Sequence, residues 1–498
     1  MSTEALTGNR IRSTIPARLD RLRWTKFHTR MVIGLGAAWI LDGLQITIAS
    51  SVTGVLTQSD TLDMSSTEVG LIASVYLIGQ VVGALFFGRL SDQLGRKRLL
   101  IVTLLLYLFG TGLAAFTVND GGWLWLAYFY STRFIAGMGI GGQYAAINSA
   151  IDEMMPAKYR GRVDIWINGS YWAGAILGSL ASIVLLNAFA PDVGWRLAFL
   201  LWPVLALVVI FVGRTLPESP RWLMTHGRVE EAERELAKIE EIARESGQEL
   251  GPMDDSQAIE LVPEKRYGYV TFLGLVFRRY PKRAILGATL MITQSFLYNA
   301  IYFTYGLVLV KFYGVNADMV PVYGLAFAVG NLCGPLLLGP LFDSVGRKPM
   351  IGGTYIISGV LLAVSGFLFD NGDLTANTQT FIWIVIFFFA SAGASAAYLT
   401  VSETWPIEIR AEAIAVFFAI AQVFGALGPV FYGALIGDGS DRTGLLIGYL
   451  VGAGIMILGG VVELLIGIKA EGKSLETVTK PLTSTSEAEP GLGAAPSV

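Results

Sequence analysis

Twelve apolar runs of membrane-crossing length, separated by charged segments, dominate this chain. They fall near 31–56, 69–88, 99–118, 123–150, 163–189, 196–213, 283–310, 320–341, 350–369, 381–402, 413–437 and 444–467. About 20 apolar residues at ~1.5 Å each cross a ~30 Å hydrocarbon core. In lipid such a run must be helical, because only a helix satisfies every backbone N–H and C=O within itself. A β-barrel would write short alternating segments instead. Composition agrees: with 53% hydrophobic and only 15% charged residues among 498, there is too little charge to clothe a soluble protein. The expected fold class is an all-α membrane protein with twelve transmembrane helices.

One charged phrase is written twice. Gly88, Asp92, Gly95, Arg96 and Lys97, after the second run, recur as Gly339, Asp343, Gly346, Arg347 and Lys348, each 251 positions later. Glu153, Pro156 and Arg160, after the fourth run, recur 250 positions later as Glu403, Pro406 and Arg410. The chain therefore reads as two six-helix halves in the same orientation, 31–213 and 283–468. Secondary transporters with parallel repeats place their site between the halves. Residues 1–30 form a polar N-terminal segment, 214–282 a linker and 469–498 a tail. Val229, Ala232, Leu236, Ile239 and Ala243 repeat at helical spacing within the linker, predicting a short amphipathic helix. Residues 247–265 are expected to be flexible, and 477–498 hold too little apolar surface to fold.

The basic residues orient the chain. With a cytoplasmic N-terminus, only Arg133, Arg196, Lys311 and Arg442 of the 36 Lys and Arg fall outside cytoplasmic segments. Both termini are expected inside, in a cell membrane, as a multi-pass protein. The net charge of −3 gives no sign of a nucleic-acid partner. Cys333 is the only cysteine, and His28 and His226 fall in polar segments, so no disulfide, metal site or cofactor is expected. The sequence has no cleaved-signal pattern. Its sequon, Asn168-Gly-Ser170, lies inside an apolar run, which fits a bacterial protein. Paired catalytic acids, a nucleotide loop and metal-ligand spacing are all missing, so an enzyme is unsupported.

At membrane depth two charges are informative. Asp42 is the twelfth residue of run 1 and Arg133 the eleventh of run 4, so both are expected near the midplane. An isolated charge there costs at least about 2.5 kcal/mol, which calls for pairing or a wet cavity. An Asp42–Arg133 pair acting as a protonation switch is the expectation. Polar and aromatic residues in the runs are candidates for a solute cavity: Trp39, Gln45, Gln143, Asn168, Tyr171 and Trp172 in the first half, and Gln294, Tyr298, Asn299, Tyr302, Asn331, Tyr398 and Gln422 in the second. Amides offer donors and acceptors, and aromatic faces suit rings.

GRLSDQLGRKR and its copy GPLFDSVGRKP resemble the signature of the major facilitator superfamily, and RFIAGMGIGGQY its Arg- and Gly-rich motif. PESPRWLMTHGRVEEAERELAKI, EIRAEA and EGKSLE are similar to sugar porter motifs, so the resemblance covers roughly residues 30–476. It implies that Asp92, Arg96, Glu153, Arg160, Asp343, Arg347, Glu403 and Arg410 close the cytoplasmic side, joined by Glu218 and Arg221. The sequence departs from the family in places. Ile468, Lys469 and Ala470 stand where sugar porters carry Pro-Glu-Thr, Asn168 replaces a glutamine, and Tyr398 replaces a tryptophan. Proton-coupled relatives with Asp-Gly-x-Asp place a second acid where this chain has Gln45.

The expected function is secondary active transport of a small polar organic solute by proton symport, in a monomer surrounded by lipid. A neutral sugar or polyol is favoured. The alternatives are an aromatic or carboxylic acid carrier in which Arg133 meets the carboxylate, an uncoupled facilitator, and a receptor that does not transport.

Overall fold

The computed structural model describes residues 11–479, apart from 53–54, 58, 65, 255–257, 262–268, 303, 316–318, 407–408, 438, 471–472 and 474. Twelve helical spans build the molecule. The first four are Lys26–Ser51, Ser66–Leu94, Arg96–Ala114 and Leu124–Met154. Span 5 is Ala157–Gly169 continued as Tyr171–Ala188, and span 6 is Pro191–Phe199 followed by Trp202–Thr215. Span 7 is likewise divided, into Pro281–Tyr302 and Tyr305–Tyr313. Spans 8 to 12 are Val320–Ser344, Arg347–Asp370, Ala376–Glu403, Arg410–Ile436 and Arg442–Ile466.

Among the described residues nine helices are long and apolar enough to cross a membrane alone. The other three spans fall short for visible reasons. In span 2 the apolar stretch among the described residues is Ser74–Gly88, shorter than a crossing, and span 6 is broken near Leu200. Span 4 has 31 residues but carries Arg133, Asp152 and Glu153. Charged spans of this kind cross lipid only inside a bundle that hides their polar side.

The repeated phrase has one backbone geometry. Gly95 and Gly346 stand immediately before spans 3 and 9 with φ of 97° and 111°, a conformation that favours glycine. In the first half Glu218 accepts a hydrogen bond from the Arg96 amide at 2.9 Å, so a carboxylate caps the start of span 3. Burial pushes the Glu218 carboxyl above its usual range, while the amides of Ser219 and Arg96 oppose the shift. At Gly137 and Gly141 a side chain would run into the backbone of span 2, so these glycines let spans 2 and 4 touch.

The halves meet chiefly through span 2 on span 11, span 8 on span 5, span 4 on span 11 and span 10 on span 5. The linker, the N-terminal segment and the repeated charged turns gather on one face, here the linker face. The predicted amphipathic helix is Val229–Glu245, with Ala232, Leu236, Ile239 and Ala243 buried. The N-terminal segment is more ordered than its polar composition suggests. Ile11–Ser13 pairs antiparallel with Ile259–Leu261, inside the stretch expected to be flexible. Three residues carry no periodicity, so such a remote pairing leaves no sequence signal. Helix Ile15–Asp20 follows, and Arg18 reaches Glu240 at 2.8 Å and Glu233 at 2.7 Å. Residues 1–10 and 480–498 lie outside the described part.

Candidate functional site

A cavity of about 410 Å³ lies between the halves, within the size range of small-molecule sites. Its wall includes Ala49 and Ile72, at the ends of spans 1 and 2 remote from the linker face, so the space reaches toward the far side. Trp39, Gln45, Asn168, Tyr171, Trp172, Gln294, Tyr298, Asn299, Tyr302, Tyr398 and Gln422 all line it. Two expected cavity residues do not. Gln143 is fully buried behind the wall, and Asn331 is tied to the Phe327 carbonyl at 3.0 Å while accepting from Tyr298 at 2.9 Å. Tyr76, Gln80, Tyr107, Thr111, Ser295, Ser391 and Ser395 also line the cavity and were not anticipated. Gln80, an amide in the middle of a greasy run, carried a legible signal.

The wall is aromatic and amide-rich, with nine Trp or Tyr side chains and six Asn or Gln. Trp172 of span 5 stacks on Tyr298 of span 7 across the halves, ring centroids 5.8 Å apart. Gln422 of span 11 hydrogen-bonds Gln80 of span 2, also across the halves. Both amide atoms of Gln45 and the indole nitrogen of Trp39 lack a hydrogen-bond partner among the described residues. Buried polar groups without partners are costly, which suits them to a polar guest.

The expected Asp42–Arg133 pair is not formed. Asp42 is fully buried and its Oδ2 accepts from Gln143 Nε2 at 2.8 Å. Arg133 precedes Gln143 by ten residues on span 4, about 15 Å along the axis. The reason is register: Asp42 packs level with Gln143, and Arg133 lies in the far third of span 4, Leu124–Met154. Among the described residues Arg133 is the only charged side chain in the cavity wall. It lies over the Phe199 ring at 4.8 Å and makes a long contact with the Gly110 carbonyl at 3.4 Å. No acid pairs with it among the described residues.

Toward the linker face an aromatic floor closes the cavity. Tyr144 stacks on Phe418 with centroids 4.1 Å apart, and Trp39 meets its edge at 4.4 Å. Beyond the floor lie the charges of the repeated motifs. Arg96 holds Glu153 at 2.7 Å within the first half, and Arg347 holds Glu403 within the second. Arg160 crosses the halves to Glu403 at 2.8 Å, and Asp343 accepts from the Arg162 amide at 2.9 Å, again across the halves. Asp152 accepts from Ser402, the residue 250 positions on and thus its own repeat counterpart. Arg410 bonds the Ser402 carbonyl at 3.0 Å, and Arg221 bonds the Glu153 carbonyl and Asp20, each at 2.9 Å. The Asp92 side chain lies outside the described part. Asp152 and Asp164, both buried here, were not singled out from the sequence.

A solute cavity between two repeats, sealed on one side by ion pairs, is the layout of an alternating-access carrier. The family profile described as sugar (and other) transporter matches residues 38–481. The chain belongs to that family. Within it, the chain is 28% identical over 465 residues to the niacin transporter NiaP of Acinetobacter baylyi, covering 93% of this chain and 99% of that one. It is 27% identical to the putative metabolite transport protein YdjK of Escherichia coli, covering 93% and 96%. The fold matches the proton:xylose symporter XylE solved with 6-bromo-6-deoxy-D-glucose, with a TM-score of 0.76 and 19% identity. That match covers 91% of this chain and 98% of the other. The twelve-helix, two-half architecture is that of the major facilitator superfamily.

Proposed function

We propose that this protein is a proton-coupled secondary transporter whose solute is a small cyclic or aromatic carboxylate. One observation carries the choice of solute: Arg133 faces the cavity with no acid partner among the described residues, in a wall otherwise neutral and aromatic. A guanidinium in a half-dry space attracts a carboxylate through paired, charge-assisted hydrogen bonds. The flat faces of Trp172 and Tyr298 suit a ring. The niacin transporter named above supports the reading, since niacin is such an acid. A neutral sugar is the second reading, favoured by the six wall amides and by the xylose symporter's fold.

Transport follows from the two closures. With the linker face sealed by Arg160–Glu403 and its neighbours, the cavity communicates with the far side, and a solute loads there. Rocking of the halves parts these pairs and exposes the cavity to the linker face. The bias of Lys and Arg supports a cytoplasmic linker face in a cell membrane, with Asp42 as a proton carrier inside it. Exposed Asp120 and Asn371 lie on the far side and exposed Ser246 on the linker face, so cysteines placed at the first two should label from outside and one at Ser246 only after permeabilisation.

The test is uptake into proteoliposomes of nicotinate, nicotinamide and xylose, with and without an inward proton gradient. Nicotinate accumulating against its gradient, with nicotinamide and xylose excluded, is the expected result. Gradient-driven xylose uptake that survives loss of the Arg133 charge would replace it with the sugar reading.

A further inference from the structure

Asp164 is a buried acid that neither the cavity wall nor the ion-pair cluster uses. It is fully buried, and neither carboxylate oxygen has a hydrogen-bond partner among the described residues. Its place in the fold is specific. Arg160, Asp164 and Asn168 stand one turn apart on span 5, about 6 Å per step. Arg160 ends in the gate on Glu403, while Asn168 ends in the cavity wall and donates to the Asp164 main-chain carbonyl at 2.9 Å. Span 4 supplies a matching ladder of Tyr144 in the cavity wall, Asn148 and Asp152. Asn148 accepts from Asn168 at 3.3 Å, and Asp152 has one oxygen on Ser402 and the other without a partner. The two acids thus fill the layer between cavity and gate.

Charged groups surround these two acids from several spans. Asp152 of span 4, with Asp343 and Arg347 at the turn between spans 8 and 9, are the charges that act on Asp164. Arg410 of span 11, Arg160 of span 5 and Arg347 act on Asp152. Span 10 contributes Glu403, already held by Arg160 and Arg347. Span 1 brings His28, buried and stacked on Trp24, whose ring meets Tyr159 of span 5. The guanidiniums Arg160, Arg162, Arg347 and Arg410 thus stand near Asp152, Asp164, Glu403 and the half-buried Asp343. Asp164 is fully buried, and the amide beside it, Asn168, gives its hydrogens to Asn148 and to the Asp164 main-chain carbonyl, so a carboxyl placed there keeps a proton.

We propose that Asp164, backed by Asp152, is a second proton-binding site that holds a proton while the gate is shut and releases it when the gate opens. Opening parts Arg160 from Glu403 across the halves and lets water in. The Asp164 O–H bond then breaks, the proton passes to water as hydronium, and the carboxylate left behind is solvated and faces the Arg160 guanidinium. As the gate shuts, a proton from the far side reaches Asp164 through the cavity, so each cycle carries one proton to the linker face. This inference rests on the proton-coupled reading above and gives the chain a second acid, where position 45 carries an amide.

The test compares wild type with Asp164→Asn, which keeps shape and neutrality but cannot exchange a proton. Infrared spectra of the purified full chain at pH 7, without solute, should lose one buried carboxylic-acid C=O band in the variant. In proteoliposomes with a pH dye, protons moved per nicotinate should fall at least twofold while nicotinate affinity stays within twofold. An unchanged infrared spectrum overturns the proposal, as does an unchanged proton-to-solute ratio with an unchanged pH profile. The infrared arm needs no solute, so a wild type that ignores nicotinate refutes the solute reading and leaves the Asp164 result standing. Should Asp164→Asn fail to fold, Asp164→Glu retains a proton site. Its acid band should then shift in frequency, and a spectrum identical to wild type counts against the site.

Discussion

Asp42 gives its buried carboxylate to Gln143 at 2.8 Å, and this leaves Arg133, ten residues away on the same helix, free to face the cavity. The separation divides two jobs that a direct ion pair would merge. On the proposed function, a proton on Asp42 answers to a neutral amide, and the cation is left for the solute.

Arg133 should therefore control affinity for acids and little else. In Arg133→Gln, loss of a charge-assisted contact worth about 1.5–3 kcal/mol should weaken nicotinate binding about 10- to 100-fold. Calorimetric titration of purified protein measures this, and melting of the variant without solute should be close to wild type. Equal affinity in wild type and variant would remove the carboxylate from Arg133.

Asp42→Asn preserves the bond to Gln143, since an amide oxygen accepts as a carboxylate does. The variant should fold, bind solute and exchange it across the membrane at near wild-type rate. Accumulation driven by a pH gradient should be lost. Gln45→Asp, adding an acid in the cavity wall, should change the pH dependence of uptake. Counterflow and gradient-driven uptake in the same proteoliposomes separate these effects.

Glu403 is held by both Arg160 and Arg347, so it joins the halves on the linker face. Glu403→Gln leaves two buried guanidiniums without their carboxylate, a loss of about 3–5 kcal/mol for a broken buried pair. The closed linker face should open in a larger fraction of molecules. Spin labels at exposed Lys158 and Ser344, one on each half, should report a longer distance in the variant. An unchanged distance distribution would reduce the cluster to a topological signal.

Glu240 fastens the N-terminal segment by accepting Arg18 and Arg21. Burial favours its neutral form, but the two guanidiniums outweigh burial and hold the carboxyl below its usual value of 4.5. A depressed acid stabilises the folded arrangement above its unfolded pKa and loses that stabilisation as pH falls through the folded one. Protease cleavage within 11–25 should thus stay slow from pH 7 to about 5 and accelerate below about 4.5. Glu240→Gln should be cleaved faster already at pH 7.

The architecture was legible because lipid leaves few choices. Apolar runs must be helices, and a phrase repeated at one offset must occupy equivalent places. The cavity was nearly as legible, since a polar residue in an apolar span needs a polar surrounding. Which face it occupies was not. Gln143 and Asn331 lie on helices apolar nearly all round, whose sequence does not say which side meets the cavity. Depth was misread for the same lack of landmarks. Span 1 packs against span 4 in a register that sets Asp42 beside Gln143, ten residues from Arg133, and the helix of span 5 begins at Ala157 instead of 163, which carried Asp164 from an expected edge into the buried layer.

The contact between Asp152 and Ser402 has a bearing on symmetry. Residues that touch their own repeat counterparts lie on the pseudo-two-fold axis, where a dimer of identical subunits would set a side chain against its double. Two carboxylates forced together there, away from water, would repel one another. Two identical acids at this point would have to share one proton, whereas a serine opposite leaves the acid its own. Two halves in one chain are free of that constraint, because each side of the axis carries its own residue. The Asp152–Ser402 contact is thus a single acid on an axis where two would compete for one proton.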